Sequence, residues 1–316
     1  MKIVVTGALG HIGSRLIRDL PNQFKELQIV LVDNLATQRF ASLFELPKNA
    51  SYSFIEGDVT TTDLIPIFAD ARVVVHLAAT TDATNSFNNA AEVERNNLIS
   101  TQKVAEACVS TNARMIHLSS TSVYGSQSQV VDENCPNHDM RPQSPYATTK
   151  LAEEKLVRDL CVNNRLRAVS CRFGTIFGVS PGMRFHTAVN KFCLQAAMGQ
   201  PLTVWSTAYD QKRPYLDLGD ACRVVSHLIE NELFDGQIYN VVSENTTVRN
   251  IVDLIREIVP SLTINIVEHE IMNQLSYEVD DTRIRATGYT SSGLLCQGIK
   301  DTLSLLSSTD GKSLAY

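Results

Sequence analysis

The stretch "KIVVTGALGHIG", residues 2–13, places an apolar run of strand length directly before a glycine-rich turn and a helical pattern. Gly7, Gly10 and Gly13 follow the spacing GxxGxxG. Glycines at such a turn let the backbone approach a pyrophosphate, and the positive end of the next helix favours its negative charge. A glycine-rich turn alone is a weak signal. Here it lies between the first predicted strand and the first predicted helix (residues 11–20), which is the context that a dinucleotide site requires.

Short β-rich runs alternate with helical patterns through the first 172 residues. The later predicted strands are 27–34, 52–58, 72–79, 114–120 and 166–174, and the predicted helices between them are 61–70, 91–111 and 144–160. Alternation of this kind requires crossover connections and predicts an α/β fold with a doubly wound parallel sheet of the Rossmann type. The strands are nearly continuous runs of Val, Ile and Leu, as expected for a sheet that is buried on both faces.

The alternation ends near residue 175, and the remaining sequence predicts a smaller lobe. Its pattern indicates a strand over 201–205 and helices over 181–199, 219–232 and 246–260. The last helix has a threonine cap and a terminating proline. We therefore expect a nucleotide-binding domain over residues 1–174 and a substrate-binding lobe over residues 175–316, some segments of which return to the sheet of the first domain.

The composition of the 316-residue chain excludes several classes of partner. A formal net charge of −6 gives no basic surface for nucleic acid or for an anionic membrane. No apolar run approaches the roughly 20 residues that a membrane span requires. No signal peptide precedes "MKIVVTG", so we expect a cytoplasmic protein. The seven cysteines are scattered, without a CxxC pair or histidines at metal spacing, which indicates reduced thiols and no metal site.

Asp33 ends the second predicted strand, twenty residues after Gly13. A carboxylate at this position accepts hydrogen bonds from a ribose diol and repels a 2′-phosphate. The next three residues are Asn-Leu-Ala, with no arginine among them, so the position favours NAD over NADP as the cofactor. The alternative role for Asp33 is a loop-capping acid. Asp58 ends the third strand, and we expect it to reach the adenine ring.

Two further strand ends carry candidate site residues. The fourth strand ends in "HLAA" (76–79) and the fifth in "SSTSVYG" (119–125), and the carboxyl ends of strands in a doubly wound sheet meet at one crevice. The helix that follows carries Tyr146 and Lys150 four residues apart and therefore on one face. An ammonium beside a phenol favours the phenolate, so the pair predicts a tyrosine base near the cofactor. An isolated YxxxK pattern is loose, and it also fits two exposed residues on a solvated helix.

Eight segments in order, "TGALGHIG", "DN", "GDV", "HLAA", "NLIST", "SSTSVYG", "SPYATTK" and "RFGTIFG", resemble the extended short-chain dehydrogenase/reductase family. The resemblance covers nearly the whole chain and is to the branch of NAD-dependent nucleotide-sugar epimerases and dehydratases. It implies that Tyr146 is the catalytic base, that Lys150 binds the nicotinamide ribose and lowers the pKa of the tyrosine, and that Ser120 orders the reacting sugar oxygen. Asn97 matches the family's helix asparagine behind the lysine. The implied NAD-binding positions are Gly7, Gly10, His11, Ile12, Gly13, Asp33, Asn34, Asp58, Val59, Leu77, Ala78, Ala79, Tyr146 and Lys150.

The residues after Ser120 separate the activities within this branch. By the resemblance, 4,6-dehydratases carry an Asp-Glu pair there and UDP-glucuronate decarboxylases carry a glutamate, whereas this chain has Thr121 and Ser122. The resemblance therefore implies an NAD-dependent nucleotide-sugar 4-epimerase that acts through a transient 4-keto sugar, with a UDP-sugar as the favoured substrate. The alternatives are a nucleotide-sugar 4-dehydrogenase or reductase with net redox, and a non-catalytic NAD-binding protein.

The substrate lobe matches the family less closely. The substrate-binding positions that the resemblance implies are Thr121, Ser122, Thr175, Arg184, Asn190 and Arg213. Thr175 stands where the family usually has asparagine, and Leu275 where it has a second arginine. His186 is interpreted as a structural or surface histidine. The resemblance also implies a homodimer, through the long helices around residues 91–111 and 145–163.

Overall fold

The computed structural model of the chain describes residues 1–81, 90–127, 130–163, 165–268 and 276–307. The strands are β1 (Lys2–Thr6), β2 (Leu27–Asp33), β3 (Ala50–Glu56), β4 (Val73–His76), β5 (Arg114–Ser120), β6 (Ala168–Phe173), β7 (Thr175–Phe177), β8 (Leu202–Trp205), β9 (Lys212–Asp217), β10 (Ile238–Val241), β11 (Glu244–Thr247) and β12 (Ile264–Val267). The α-helices are α1 (His11–Gln23), α2 (Ile65–Phe68), α3 (Ala90–Thr111), α4 (Pro145–Val162), α5 (Ala188–Ala197), α6 (Leu218–Glu230), α7 (Val248–Ile258), α8 (Thr282–Arg285) and α9 (Leu295–Ser307).

Within the described residues, seven strands form one parallel sheet in the order β3-β2-β1-β4-β5-β6-β10. Val4 of β1 lies between Val30 of β2 and Val74 of β4, and all three side chains are buried. The chain builds the sheet outward from β1 to β3 and then crosses back to place β4 on the other side of β1. The strand order therefore reverses between β1 and β4, and their carboxyl ends open a crevice.

Helices cover both faces of this sheet, which confirms the predicted doubly wound α/β fold. One face packs on α1 and α6 through residues such as Leu16 and Val225. The other face packs on α3 and α4 through residues such as Val104 and Val157. Strands buried on both sides explain why the sequence shows continuous apolar runs instead of alternation.

The C-terminal part contains its own small core and also extends the main sheet. The strands β7, β9 and β11 form a second sheet, and β8 pairs with β12. Phe192 of α5 and Ile251 of α7 lie in the core between them. The strand β10 pairs with β6 in the main sheet. A division into two units at residue 174 stays a prediction.

Two predicted helices are shorter in the structure. The helix predicted over 61–70 is reduced to the single turn of α2, which begins beside Pro66. The helix predicted over 181–199 begins only at Ala188. The segment before it packs its backbone against the glycine-rich turn at Gly182, and a helical path there would break that contact. Within the described residues, no helix is long and apolar enough to cross a membrane.

A buried ion pair ties α4 to the sheet. The guanidinium of Arg172 on β6 donates to both carboxylate oxygens of Glu154, at 2.9 and 2.6 Å, and to the hydroxyl oxygen of Tyr124 at 2.9 Å. Tyr124 in turn donates to Asn240 Oδ1 on β10 at 2.8 Å. These groups are almost fully buried, so each charge depends on its partner.

We expect the variant Glu154→Leu to lose about 3–5 kcal/mol of unfolding free energy, because it leaves the buried Arg172 guanidinium unpaired. Urea denaturation followed by circular dichroism measures the loss. The matched control is Asp19→Ala, which breaks the partly exposed pair of Arg15 and Asp19 on α1 and should cost about 0.5 kcal/mol or less. Equal losses in the two variants would contradict the assignment of Arg172 and Glu154 as a stabilising buried pair.

Candidate active site

A cavity of about 1150 Å³ lies in the crevice at the carboxyl ends of the strands. It runs from the glycine-rich turn to the C-terminal lobe. The predicted site residues that line it are Gly7, Gly10, His11, Ile12, Gly13, Asp33, Asn34, Asp58, Val59, Leu77, Ala78, Ala79, Ser120, Thr121, Ser122, Tyr146, Lys150, Thr175, Arg184 and Arg213. The fold thus brings together residues as far apart in the sequence as Gly7 and Arg213.

The glycine-rich turn is shaped to hold an anion. Gly7 has a φ of +66°, and a Cβ on it would lie 2.7 Å from the backbone nitrogen of Ala78. Only glycine at this position therefore allows the turn after β1 to pass so close to the residues that follow β4. The helix α1 begins at His11 with Gly10 as its N-cap residue, and no side chain caps it. Its first N–H groups are suited to a pyrophosphate, so the turn fits a dinucleotide.

Asp33 combines the two roles considered for it. Its Oδ2 accepts a hydrogen bond from the N–H of Leu9 at 3.0 Å, and its Oδ1 accepts one from the N–H of Leu35 at 2.9 Å. The carboxylate thus fixes the glycine-rich turn and its own loop. Each oxygen retains a second lone pair, and Asp33 lines the cavity, so a ribose diol still has acceptors there.

Asp58 is held in its ionised form on the same side of the cavity. Partial burial opposes ionisation, but hydrogen bonds from Thr60 and from Asn34 Nδ2 (3.0 Å) lower the pKa of the carboxyl group. Asn34 and Asp58, both predicted as NAD-binding positions, are therefore in direct contact. This contact links the loops that follow β2 and β3.

Arg39 is a cavity residue that sequence reasoning missed. The three residues after Asp33 contain no arginine, whereas the loop after β2 turns back and brings Arg39 to the cavity wall. Its Nη1 lies 3.9 Å from the position that a Cβ on Gly10 would occupy. Burial lowers the pKa of Arg39 and the nearby carboxylate of Asp33 opposes this shift. Both charge signs therefore occur at this end of the cavity.

The helix α4 places the tyrosine and the lysine as its sequence predicts. Ser144 caps the helix by accepting the N–H of Ala147 at 3.2 Å, and Pro145 occupies the first turn. The Nζ of Lys150 lies 5.8 Å from the ring centroid of Tyr146. Both residues line the cavity. The electrostatic requirement for a phenolate base is met, since an ammonium stands beside the phenol.

The hydroxyl of Ser120 has its own proton available. Its Oγ accepts hydrogen bonds from Ser122 N at 3.2 Å and Ser122 Oγ at 2.9 Å. A hydroxyl group has one hydrogen to donate, and neither of these contacts uses it. Ser120 can therefore donate to an oxygen in the cavity, while Thr121 bonds inward to Phe173 O at 3.3 Å.

The C-terminal lobe contributes cations to the opposite wall. Arg184, Lys191 and Arg213 line the cavity, as does Thr175 at the start of β7. Lys191, which belongs to none of the sequence motifs, faces the cavity from α5. His186 is exposed and also lines the cavity. Leu275 lies outside the described residues.

Two predicted site residues do not line the cavity. Asn97 is buried, accepts the N–H of Thr80 at 2.8 Å and donates to the carbonyl of Thr80 at 2.9 Å. Asn190 is fully buried, accepts the N–H of Gly178 at 3.2 Å and donates to the carbonyl of Arg184 at 3.1 Å. Both amides therefore hold backbone that borders the cavity, and the expected contact of Asn190 with a substrate is corrected to this supporting role.

Residues 178–184, here called the strap, cross the start of α1. Nε2 of His11 donates to the carbonyl of Gly178 at 2.9 Å, and the hydroxyl of Ser180 donates to the carbonyl of His11 at 2.9 Å. Burial lowers the pKa of His11 to about 4, although the bond to Gly178 opposes this shift, so the imidazole is neutral near pH 7.

Gly182 is the closest contact of the strap. Its N–H donates to Ser14 Oγ at 2.9 Å, and a Cβ on it would lie 2.2 Å from the carbonyl oxygen of Leu9 and 2.6 Å from that of Gly10. Any larger residue would have to push the strap away from the glycine-rich turn. The strap therefore joins the C-terminal lobe to the part of the cavity that fits the pyrophosphate.

The NAD dependent epimerase/dehydratase family model matches residues 3–241. An uncharacterised UDP-glucose epimerase of Bacillus subtilis is 29% identical over 267 residues, which is 82% of each chain. A trifunctional UDP-glucose 4,6-dehydratase, 3,5-epimerase and reductase of Arabidopsis thaliana is 28% identical over 317 residues, 95% of this chain. The chain spans about half the length of the trifunctional relatives, 46% in this case.

Solved structures of the same fold contain NAD. The UDP-glucuronic acid 4-epimerase of Bacillus cereus, in complex with UDP-glucuronic acid and NAD, is 28% identical with a TM-score of 0.86, covering 98% of this chain and 99% of that one. MoeE5 in complex with UDP-glucuronic acid and NAD is 26% identical with a TM-score of 0.82, covering 96% and 98%.

The variant Gly182→Ala should release NAD faster than the parent, because the new Cβ displaces the strap from the glycine-rich turn. Loss of one or two hydrogen bonds, about 1–3 kcal/mol, corresponds to roughly tenfold or more in the dissociation rate. The rate is measured by trapping released NAD with an indicator dehydrogenase. Ser180→Ala removes one hydrogen bond without adding atoms and should give a smaller increase. Unchanged retention in Gly182→Ala would show that the strap does not restrain the cofactor.

Proposed function

The chain belongs to the NAD dependent epimerase/dehydratase family and uses NAD, and from this basis we propose that it is a nucleotide-sugar 4-epimerase, with UDP-sugars as the first candidates. The family resemblance expected from the sequence is thereby confirmed. The activity within the family is our proposal, and it depends on which acids and bases stand around the reacting sugar.

One observation carries the proposal: none of the residues that the structure describes places a carboxylate at the reacting end of the cavity. Among the described residues, the carboxylates that line the cavity are those of Asp33 and Asp58. Asp33 ends β2 and Asp58 follows β3, whereas Ser120 ends β5, three strand spacings or about 14 Å across the sheet from β2. Elimination of water or loss of carbon dioxide calls for a further acid or base next to the sugar. Thr121 and Ser122 provide neither, which favours chemistry that Tyr146 performs alone.

The residues present are sufficient for removal and return of one proton. The phenolate of Tyr146 would take the proton of the sugar 4-hydroxyl, while Ser120 donates a hydrogen bond to the same oxygen. The ammonium of Lys150 stabilises the phenolate during this step. When bound, NAD supplies the hydride acceptor at the sugar C4 and returns the hydride. Epimerisation requires the 4-keto sugar to present its other face before Tyr146 gives the proton back. Because the hydride also returns to the sugar, the reaction causes no net oxidation.

The charge distribution supports a nucleoside diphosphate as the carrier of the sugar. Arg184, Lys191 and Arg213 place positive charge in the wall of the C-terminal lobe of a chain whose formal net charge is −6. A cation-lined wall attracts a diphosphate and lowers the cost of removing it from water. The 4-epimerase of Bacillus cereus that shares this fold acts on UDP-glucuronic acid, which supports UDP as the first nucleotide to test.

Net oxidoreduction is the second candidate, and the trifunctional relatives include a reductase activity in their names. A dehydrogenase or reductase must exchange its cofactor in every cycle. The contacts of His11 and Ser14 with the strap favour a retained cofactor and therefore an epimerase. Dimerisation through α3 and α4 and a cytoplasmic location stay predictions.

Incubation with UDP-glucose, UDP-glucuronic acid, UDP-N-acetylglucosamine and dTDP-glucose should convert one of them to its C4 epimer without NADH accumulating. Nuclear magnetic resonance identifies the product, and absorbance at the NADH band follows the cofactor. Stoichiometric NADH with a 4-keto product would replace the epimerase by the dehydrogenase. A 6-deoxy-4-keto product would establish a dehydratase.

Tyr146→Phe should lower turnover by about 10²–10⁴-fold, the usual contribution of a general base, and should keep NAD bound. The matched control is Tyr209→Phe, since Tyr209 stacks on the exposed Arg249 outside the cavity, with the guanidinium carbon 4.4 Å from the ring centroid. Tyr209→Phe should turn over like the parent. Full activity of Tyr146→Phe would remove Tyr146 from the proposed mechanism.

A further inference from the structure

A buried carboxylate stands behind the lysine of the proposed active site. The Nζ of Lys150 donates to Glu153 Oε2 at 2.9 Å, one turn further along α4. Lys150 lines the cavity and Glu153 does not, so the carboxylate lies on the core side of the ammonium. The Glu153 side chain is 1% exposed, which means that water does not screen the pair.

The same oxygen of Glu153 accepts two more hydrogen bonds. Thr101 Oγ1 of α3 donates to Oε2 at 2.9 Å, and His117 Nε2 of β5 lies 2.9 Å from it. A carboxylate can only accept, so His117 carries a hydrogen on Nε2. Burial opposes ionisation of Glu153, but Lys150 and His117 outweigh it and lower the pKa of the carboxyl group to about 2.

A second histidine completes this network. Thr101 donates its only hydroxyl hydrogen to Glu153. Thr101 Oγ1 therefore accepts a hydrogen bond from His76 Nε2 of β4 at 3.3 Å. Burial lowers the pKa of His76 to about 3, which keeps it neutral, and its Nδ1 therefore accepts from the hydroxyl of Thr6 at 2.8 Å. The donors from β1, β4 and α3 all point toward one anion, and that anion bonds the proposed catalytic lysine.

The other charges near Lys150 are accounted for. Glu154 also lies on α4, and its carboxylate is matched by the guanidinium of Arg172 on β6. On the cavity side, Lys150 faces the ring of Tyr146. Lys150 has three hydrogens to donate, and the bond to Glu153 uses one. Two hydrogens therefore remain for a ligand, in an orientation that Glu153 determines.

We propose that Glu153 is a positioning residue for the proposed epimerisation: its carboxylate holds Lys150 Nζ at the cavity wall and sets the pH range in which Tyr146 and Lys150 act. A negative charge behind the ammonium offsets part of its field, so both Tyr146 and Lys150 lose their protons at higher pH than they would without it. A phenol made too acidic would be too weak a base to take a proton from a sugar hydroxyl. Glu153 would therefore offset part of the effect that the charge of Lys150 has on the phenol.

Glu153→Gln removes the charge and keeps the size of the side chain. Turnover needs Tyr146 unprotonated, which sets the acidic limb of the pH profile, and Lys150 protonated, which sets the alkaline limb. Both limbs should move to lower pH by roughly one unit, because removal of a nearby negative charge makes both groups more acidic. The control Asp159→Asn makes the same charge change at an exposed position of α4 and should leave the profile in place.

A uniform loss of rate with no displacement of the profile would overturn the proposal, because a purely structural role predicts that result. Displacement to higher pH would also overturn it. Glu153→Asp keeps the charge and should move the limbs by less than a third of the Gln effect. If the Gln variant does not fold, the Asp variant still decides the matter, since a full-unit shift with the charge retained contradicts the proposal.

A second measurement does not depend on turnover, although the proposal rests on the proposed function. The ultraviolet difference absorbance of tyrosinate, measured for each purified holoenzyme against the same protein with Tyr146→Phe, isolates the ionisation of Tyr146. This ionisation should occur at lower pH in Glu153→Gln than in the parent. A shifted titration without sugar turnover would retain the role of Glu153 and reject the epimerase, whereas an unshifted titration would reject Glu153 even in an active epimerase.

Discussion

The whole arrangement depends on one close approach of backbone to backbone, where the turn after β1 passes the end of β4. Gly7 adopts a positive φ there, and no room exists for a Cβ beside the backbone of Ala78. Because of this approach, β1 and β4 are neighbours and their carboxyl ends share one crevice. The glycine-rich turn, the start of α1 and the loops after β4 and β5 then border the same cavity. A side chain at residue 7 would separate these parts before any catalytic residue was affected.

Two buried ion pairs of this protein have different consequences. Arg172 and Glu154 satisfy each other between α4 and β6, and their pairing serves the fold. Lys150 and Glu153 are also paired, but Lys150 keeps one side toward the cavity. The helix α4 is therefore anchored twice near its middle, by neighbouring glutamates with different partners. This anchoring fixes the position of Tyr146. The position matters because a base must be held within a fraction of an ångström of the proton that it removes.

Local sequence patterns predicted the fold and the centre of the site. The other site residues depend on long-range contacts, which local patterns do not show. The glycine spacing, Asp33 at a strand end and the four-residue spacing of Tyr146 and Lys150 are each readable within one turn or loop. Arg39 and Lys191 reach the cavity only because distant segments fold back onto it. Glu153 lies beside Lys150 in sequence, yet its role depends on Thr101, His76 and His117 from three other elements. The helix predicted over 181–199 was too long because its periodicity gave no sign that Gly182 packs on residues 9 and 10.

The strap and the proposed active site both meet one requirement of an epimerase, which is that the cofactor stays bound through the whole catalytic cycle. In an epimerase the hydride that leaves the sugar must return to the same molecule, so a cofactor that escapes in mid-cycle strands a ketone in the cavity. The strap bonds to His11 and Ser14 at the start of α1, and Asn190 supports it by binding the backbone at both of its ends. The same segment carries Arg184 into the cavity wall. The proposed function would join substrate contact to cofactor retention, since a nucleotide sugar bound by Arg184 would also steady the segment lying over the glycine-rich turn. A protein that exchanged its cofactor in every cycle would gain nothing from this connection.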